Sequence, residues 1–126
     1  MRRTVDASGN AAPLGPYSHG ATDGAVLYTA GQTPVTPEGT VLSDAPIGVQ
    51  TEQSLENIVR ILDEAGLTTD DVLKTTVYLT DIEDFDEMNE VYRSFFEPDP
   101  PARTALEVSR IADGAAIEIE ATASHR

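Results

Sequence analysis

The sequence predicts an α+β fold in which two amphipathic helices cover one face of a mixed β-sheet. Hydrophobic residues recur at helical spacing in segment 53–67 and alternate with polar residues in segment 73–80. These are the patterns of an amphipathic helix and of a half-buried strand. In chain order the predicted elements read β-β-α-β-α-β-β. A length of 126 residues, 40% of them hydrophobic, suits a single domain over residues 1–126 with one core.

The first third of the chain predicts short strands separated by turns. Residues 2–6 form a candidate edge strand. In GPYSHG (15–20), glycine and proline bracket Tyr17 and His19, which predicts a turn that leads into a short extended piece. AVLYTA (25–30) is an apolar run between two glycines, the pattern of a strand buried on both faces.

Two helices follow, each marked by its ends and its apolar face. Asp44 is the predicted cap of the first helix, and Gly66 is its natural stop. Asp84 and Glu87 have the spacing of a capping box for the second helix, which ends before Pro98. Spacings of three and four residues predict the buried stripes, which are Leu55, Ile58, Val59 and Leu62 in the first helix and Phe85, Met88, Tyr92 and Phe95 in the second.

Three further strands complete the predicted sheet, at 73–80 and near 102–109 and 115–123. Because helices cover one face, the other face must be polar or buried against another subunit. Strand parity predicts that this face carries both charged and aromatic side chains, which suits a subunit interface with solvated pockets. The side chains predicted on it are Lys74, Tyr78, Arg103, Ala105, Glu118 and Glu120.

Acidic residues outnumber basic residues by 22 to 8, and the net charge is −14. Such a chain repels phosphate backbones, which argues against general nucleic-acid binding. The acids are spread along the chain, so we expect a solvated surface adapted to a salt-rich, halophilic cytoplasm, where charges are screened within ~3 Å at molar salt. An acidic protein of an ordinary cell is the alternative.

Several features that other classes of protein and site require are missing from the sequence. The chain has no cysteine, so disulfides, thiolate metal sites and cysteine nucleophiles are excluded. No apolar run approaches the ~18 residues of a membrane span, and the N-terminus lacks the apolar core of a signal peptide. We therefore expect a cytoplasmic protein. The acidic run 81–90 has the pattern of a helix start and a solvated surface, and no metal site is predicted.

Arg103 stands where a proline-rich loop gives way to a predicted strand, in EPDPPARTALEV (97–108). A guanidinium at a strand start, beside the small Ala102, can project into a cleft. Its fork of donors matches the two oxygens of a planar carboxylate. The alternative interpretation is an edge arginine in a surface ion pair.

Four segments taken together resemble the RidA/YjgF family of enamine and imine deaminases. They are GPYSHG (15–20), TAGQTP (29–34), PPARTALEV (100–108) and AIEIEATA (116–123), and the helix QSLENIVRILDEAGL (53–67) fits the same family. The resemblance runs nearly end to end. It implies a homotrimer of chorismate-mutase-like subunits with active sites between neighbours. It also implies hydrolysis of reactive 2-enamino or 2-imino acids, such as 2-aminoacrylate and 2-iminobutyrate, to 2-keto acids and ammonium, with no cofactor.

The same resemblance assigns roles to individual residues. Arg103 matches the arginine that binds the substrate carboxylate, and Glu118 matches the acid that positions or activates water. The positions matched to substrate contacts are Tyr17, Gly31, Asn89, Thr104 and Ala105. Two positions depart from the family pattern, since Ala105 stands where cysteine is common and Ala30 where serine is frequent. Imine hydrolysis needs no covalent nucleophile, so these departures bear on rate and specificity.

Simpler interpretations stay open for several of these residues. Glu118 alone could be a solvated strand residue, Tyr17 a packing aromatic and Asn89 an interface amide. His19 is expected to be structural. The competing function is a non-catalytic trimer that binds small carboxylates, with a regulatory or chaperone-like role. Ribonuclease activity, which some relatives carry, is disfavoured by the −14 charge.

Overall fold

A computed structural model of the chain describes residues 1–125 and contains one more strand than the sequence predicted. The extra strand is the short extended piece after Tyr17, which pairs on both sides. The described order is therefore β-β-β-α-β-α-β-β. The elements are β1 (Arg3–Val5), β2 (Gly20–Thr22), β3 (Val26–Thr29), α1 (Ile47–Glu64), β4 (Val72–Leu79), α2 (Phe85–Phe96), β5 (Ala102–Glu107) and β6 (Ile117–Ser124).

The strands form one mixed sheet in the order β1-β2-β3-β6-β4-β5. β4 and β5 are parallel because α2 connects them, and the other neighbours are antiparallel. The long strands β6 and β4 lie side by side within the sheet, and β5 forms one edge. The predicted mixed α+β sheet with two helices is confirmed.

The core lies between the helices and one face of the sheet. β6 alternates strictly, with its isoleucines and alanines buried and its glutamates half-buried on the other side. In α1 the buried stripe includes Leu55, Ile58 and Leu62, as predicted, and also Ile61, whereas the predicted Val59 is only partly buried. Both helices therefore pack on one face, and we call the uncovered side the open face of the sheet.

The ends of the helices differ in detail from the prediction. Pro46, and not Asp44, precedes α1, and no side chain caps that end. α1 stops as predicted, because Gly66 takes the left-handed φ of 77° that a glycine adopts without strain. Asp84 does precede α2, but its side chain makes no capping hydrogen bond, so the predicted capping box is wrong. The carboxylate of Asp81 accepts the N–H of Glu83 at 2.9 Å instead, in the short turn before α2.

Two burial predictions were also wrong. Phe96, and not Phe95, completes the fully buried side of α2 with Met88 and Tyr92. β3 is buried on one face only, because Tyr28 is 61% exposed on the open face. Apolar composition alone cannot separate a strand covered twice from one covered once. Within residues 1–125, no helix has the length and apolar character needed to cross a membrane.

Candidate functional site

Glu118 and Gly31 are brought together by a bridge between β6 and the loop after β3. Gln32 and Ile119 exchange two backbone hydrogen bonds, of 2.8 and 3.1 Å. Because Ile119 faces the core, Glu118 projects from the open face beside Gly31. A Cβ on Gly31 would overlap Oε2 of Glu118 and lie 2.8 Å from its Cδ. Only glycine permits this packing of the carboxylate.

Burial raises the pKa of Glu118 above its ordinary value, and the charge of Glu120, two residues along the same strand face, raises it further. Tyr78 lies opposite Glu118 on β4. Its pKa is raised too, by burial first and then by Glu120 and Glu118. Glu118 is therefore a carboxylate whose proton affinity exceeds that of an exposed glutamate, which suits a group that exchanges protons with water.

Tyr17 lines a cavity of about 320 Å³ together with Glu118 and Gly31, and we call it the Glu118 cavity. The hydroxyl oxygen of Tyr17 accepts the N–H of Leu14 at 3.2 Å, which holds the ring over the loop. The ring is 48% exposed, so it is not a packing aromatic of the core. Three of the predicted site residues thus share one cavity.

Arg103 lies elsewhere, on the helix side of the sheet. Its guanidinium carbon is 4.7 Å from the ring centre of Tyr92 and 5.4 Å from that of Phe85. Nη1 is 3.8 Å from Sδ of Met88. Among residues 1–125, no carboxylate lies within 4.0 Å of it. The contact of Arg103 with the rings of Phe85 and Tyr92 was not predicted from the sequence, although both rings belong to the apolar stripe predicted for α2.

The prediction that Arg103 and Ala105 lie on the open face is therefore wrong. In the register of the parallel pair, Arg103 stands beside Thr75, whose hydroxyl lies 2.6 Å from that of Tyr92 on the core side. Ala105 packs against the core in the same way. The alternation in the sequence correctly predicted that Arg103 and Ala105 lie on the same face of β5. It did not determine which face of the sheet that is, because the loop before β5 sets the rotation of the strand.

Thr104 has the opposite orientation. It is exposed and stands beside Thr76 on the open face, the face of Glu118. It lines neither the Glu118 cavity nor the cavity beside Arg103. The structure thus separates the predicted substrate contacts into groups on different faces of one chain.

Asn89 lies with Arg103. Both line a cavity of about 530 Å³ between the end of α2 and the proline loop, which we call the Arg103 cavity. The side-chain oxygen Oδ1 of Asn89 is buried and has no hydrogen-bond partner among residues 1–125. A buried acceptor without a partner is rare and marks a position where a donor is missing. Asn89 therefore remains a candidate ligand or interface contact.

Two buried polar residues position the loops around Glu118. His19 is structural as expected, because its Nδ1 accepts the N–H of Ala7 at 3.0 Å and its Nε2 lies 2.9 Å from the carbonyl of Ala11. Asn57 on α1, which sequence reasoning missed, donates to the carbonyls of Thr33 at 3.2 Å and Val35 at 3.0 Å. The feature of the sequence that pointed to Asn57 was an asparagine within the apolar stripe of α1. Within residues 1–125, no cluster of three His, Asp or Glu side chains could hold a metal ion.

Comparisons with known proteins agree with this arrangement of elements. Residues 8–125 match the family described as endoribonuclease L-PSP. A RutC family protein of Pyrococcus horikoshii is 45% identical over 123 residues, which cover 98% of each chain. A 2-iminobutanoate/2-iminopropanoate deaminase of Salmonella typhimurium is 40% identical over 130 residues, which cover 100% of each. The crystal structure of E. coli TdcF with bound serine matches with a TM-score of 0.93 at 35% identity, over 98% of this chain and 99% of that one.

The match to the family covers nearly the whole chain, and the relatives are full-length and well above 30% identical. Fold, length and sequence thus lead to one conclusion: the chain belongs to the endoribonuclease L-PSP family, the group that includes YjgF and RidA.

Proposed function

We propose that the protein is a hydrolytic deaminase of reactive 2-imino and 2-enamino acids. In the reaction, water adds to C2 of the protonated imine, the carbinolamine expels ammonia, and the products are a 2-keto acid and ammonium. The relative named 2-iminobutanoate/2-iminopropanoate deaminase, at 40% identity over its whole length, supports this reaction class. The observation that carries the proposal is the half-buried carboxylate of Glu118 packed against Gly31.

Glu118 is the proposed general base. Its raised pKa makes it a better proton acceptor than an exposed glutamate, and the Glu118 cavity gives a water molecule or substrate space beside it. Glu118 takes the proton of the attacking water and returns it to the departing nitrogen. Tyr17 lines the same cavity, and its proposed role is to orient the substrate.

Arg103 is the proposed carboxylate clamp. Its guanidinium lies over the rings of Tyr92 and Phe85, and Nη1 makes one weak contact with Sδ of Met88. No carboxylate among residues 1–125 pairs with it, so its other donors are free for a ligand. Asn89 adds a polar contact to the same cavity. A bidentate contact fixes the substrate carboxylate and leaves C2 facing the water.

One chain cannot supply both groups to one substrate. Arg103 is in register with Thr75, and Thr75 with Ala121, three residues from Glu118. The two residues are therefore about 10 Å apart across the strands and about 10 Å along them, and they lie on opposite faces. A substrate carboxylate is bonded directly to C2. We therefore propose a site built from Arg103 of one subunit and Glu118 of the next, in a homotrimer.

A coupled assay tests the reaction. A dehydratase generates 2-aminoacrylate or 2-iminobutyrate, and release of the 2-keto acid is timed with and without the protein. Wild type is expected to accelerate release, whereas Arg103→Ala and Glu118→Gln are expected to lose most of the acceleration. A folded oligomer that never exceeds spontaneous hydrolysis would refute the deaminase.

Mixing the two variants tests the shared site. Unfolding and refolding Arg103→Ala together with Glu118→Gln in equal amounts gives mixed trimers in which about a quarter of the interfaces combine an intact Arg103 with an intact Glu118. Activity is expected to reappear to about that fraction. A control in which each variant is refolded alone should stay inactive. Continued inactivity of the mixed, assembled trimers would place both groups in one chain.

Binding without turnover is the second candidate. The E. coli TdcF structure holds serine, which has the carboxylate that the Arg103 clamp would bind. The coupled assay separates the two, because a binding module protects or retains the ligand without releasing 2-keto acid. The family description names a ribonuclease, but a net charge of −14 opposes binding of an RNA backbone.

A further inference from the structure

Two buried amides of α1 hold the two segments that bring Gly31 and Glu118 together. Gln50 and Asn57 are seven residues apart in the helix, which is about 10 Å and two turns, so they lie on the same face. Gln50 is 2% exposed and Asn57 is 3% exposed. Buried amides need hydrogen-bond partners, and the partners of these two indicate their role.

Asn57 holds the loop after β3. It donates its two amide protons to the carbonyls of Thr33, at 3.2 Å, and Val35, at 3.0 Å. Its oxygen accepts a hydrogen bond from Nη1 of Arg60 at 3.1 Å, and because a guanidinium only donates, this contact fixes the orientation of the amide. Thr33 directly follows Gln32, which forms the bridge to β6.

Gln50 holds the other partner of that bridge. Its oxygen accepts the N–H of Ala116 at 2.9 Å, directly before β6 and two residues before Glu118. Its amide protons are donated to the carbonyls of Ala45, at 2.9 Å, and Ser43, at 3.2 Å. The start of β6 is therefore bonded to α1, as the loop after β3 is.

The contact between Glu118 and Gly31 needs this support. An ionised carboxylate is better solvated in water than in a half-buried position, and burial raises the pKa of Glu118 accordingly. The charge of Glu120 on the same strand face adds repulsion. The loop after β3 meets β6 here through an isolated bridge of two backbone hydrogen bonds, between Gln32 and Ile119. Ionisation thus favours movement of Glu118 towards water, and the bonds from α1 oppose it.

We propose that Gln50 and Asn57 are positioning residues of the reaction. By holding the start of β6 and the loop after β3 on one helix, they keep the carboxylate of Glu118 against Gly31 and so set its geometry for proton transfer. This inference rests on the proposed deaminase function, and it adds two residues that act on the substrate only through Glu118.

The test removes each amide and then both. Gln50→Met and Asn57→Leu keep the approximate volume of the side chain and lose its hydrogen bonds. Each is expected to lower kcat about 10- to 100-fold, because a shift of about 1 Å in a catalytic group has an effect of that size. KM should stay within ~3-fold, because Arg103 holds the substrate carboxylate. In the double variant kcat should stay within ~3-fold of the slower single variant, since either loss already frees the same contact.

Two further measurements separate positioning from a general loss of stability. If Glu118 moves away from Gly31, it becomes more exposed and its pKa falls towards the ordinary value, so the acid limb of the kcat/KM profile should move to lower pH. Hydrogen exchange of the backbone N–H groups of Gln32 and Ile119, followed by NMR, should be at least ~10-fold faster in both single variants, since these groups form the bridge.

Ser54→Ala and Leu62→Ala are matched controls in the same helix. Ser54 is buried, and its hydroxyl has no hydrogen-bond partner among residues 1–125, so its loss should change none of these measurements. Leu62 is fully buried in the core, and its truncation leaves a cavity. Leu62→Ala should lower the melting temperature and leave kcat, the acid limb and the exchange of the bridge as in wild type.

Sedimentation establishes that each variant assembles as wild type does before it is assayed. Should an apolar variant not fold, Gln50→Ser or Asn57→Ser takes its place, because a smaller polar side chain lets water bond the freed groups. Unchanged kcat in the single variants, losses that multiply in the double variant, or unchanged exchange of Gln32 and Ile119 would each overturn the inference and leave the deaminase intact. If wild type accelerates no imine, the deaminase proposal fails, and the exchange rates still decide whether the two amides hold the bridge.

Discussion

The carboxylate of Glu118 occupies the space that a side chain at residue 31 would need. A Cβ there would overlap Oε2 and lie 3.0 Å from Cγ of Glu118. The overlapping atoms belong to the end of a flexible side chain and not to the backbone. A larger residue at position 31 would therefore displace Glu118 and leave the chain trace intact, which gives a substitution that separates catalysis from folding.

Gly31→Ala is expected to lower the deaminase rate about 100-fold, because a shift of about 1 Å in a catalytic group has that effect. The melting temperature should change little. Gly48→Ala is the control: its Cβ would lie 3.3 Å from the flexible Glu87 carboxylate, and neither residue lines the Glu118 cavity or the Arg103 cavity. Full activity in Gly31→Ala would show that the placement of Glu118 is not needed.

Glu118→Gln is expected to lower the rate by ~100- to 10,000-fold, the usual contribution of a general base, and yet to raise stability at neutral pH. The folded-state pKa of Glu118 lies above its ordinary value of 4.5, so ionisation disfavours the folded state. Wild type should lose stability as pH rises from about 4.5 through the raised pKa, and the glutamine variant should lack that loss. Urea unfolding of wild type and Glu118→Gln at pH 4.5 and pH 8 gives the difference between their free energies of unfolding, which must be larger at pH 8.

Glu120→Gln is expected to move the acid limb of the pH–rate profile to lower pH. The charge of Glu120 is the second cause, after burial, of the raised pKa of Glu118. Removing that charge lets Glu118 ionise at lower pH, so the base stays active further into acid. The profile of kcat/KM between pH 4 and pH 8 checks this. An unmoved limb would show that a different group limits the rate in acid.

Arg103→Lys is expected to raise KM about 10- to 100-fold, since lysine keeps the charge but cannot bind a carboxylate with two parallel hydrogen bonds. It would also lose the stacking on Tyr92 and Phe85. Arg3→Ala, on the opposite edge strand, controls for removal of a positive charge. An unchanged KM in Arg103→Lys would make Arg103 a packing residue and not a clamp.

Assembly is expected to weaken as salt is removed. A trimer of chains with a charge of −14 each would carry −42, and screening at low ionic strength extends over ~30 Å. Sedimentation velocity between 10 mM and 2 M salt should show smaller species at low salt, and activity should fall with them because the proposed site needs two chains. A trimer and a melting temperature that are both independent of salt would also contradict adaptation to a salt-rich cytoplasm.

Local sequence patterns by themselves determined every helix and strand of this protein except the short β2, and also the family to which it belongs. The alternation of isoleucine and glutamate in β6 predicted which residues face the core, and the spacing in α1 predicted its buried stripe. These signals are local, because the side-chain period of a strand or helix is fixed by the backbone.

The tertiary structure alone decided that Arg103 and Ala105 lie on the helix side of the sheet, opposite the face of Glu118. Strand parity in the sequence predicted Arg103 and Glu118 on one face, but the register of β5 against β4 turns Arg103 towards α2 and away from Glu118. The contact of Glu118 with Gly31 depends on a bridge between segments 87 residues apart, from Gln32 to Ile119. Loops and long-range contacts decide which face of the sheet a strand residue occupies and which segments pair. The periodicity within a single segment does not encode either.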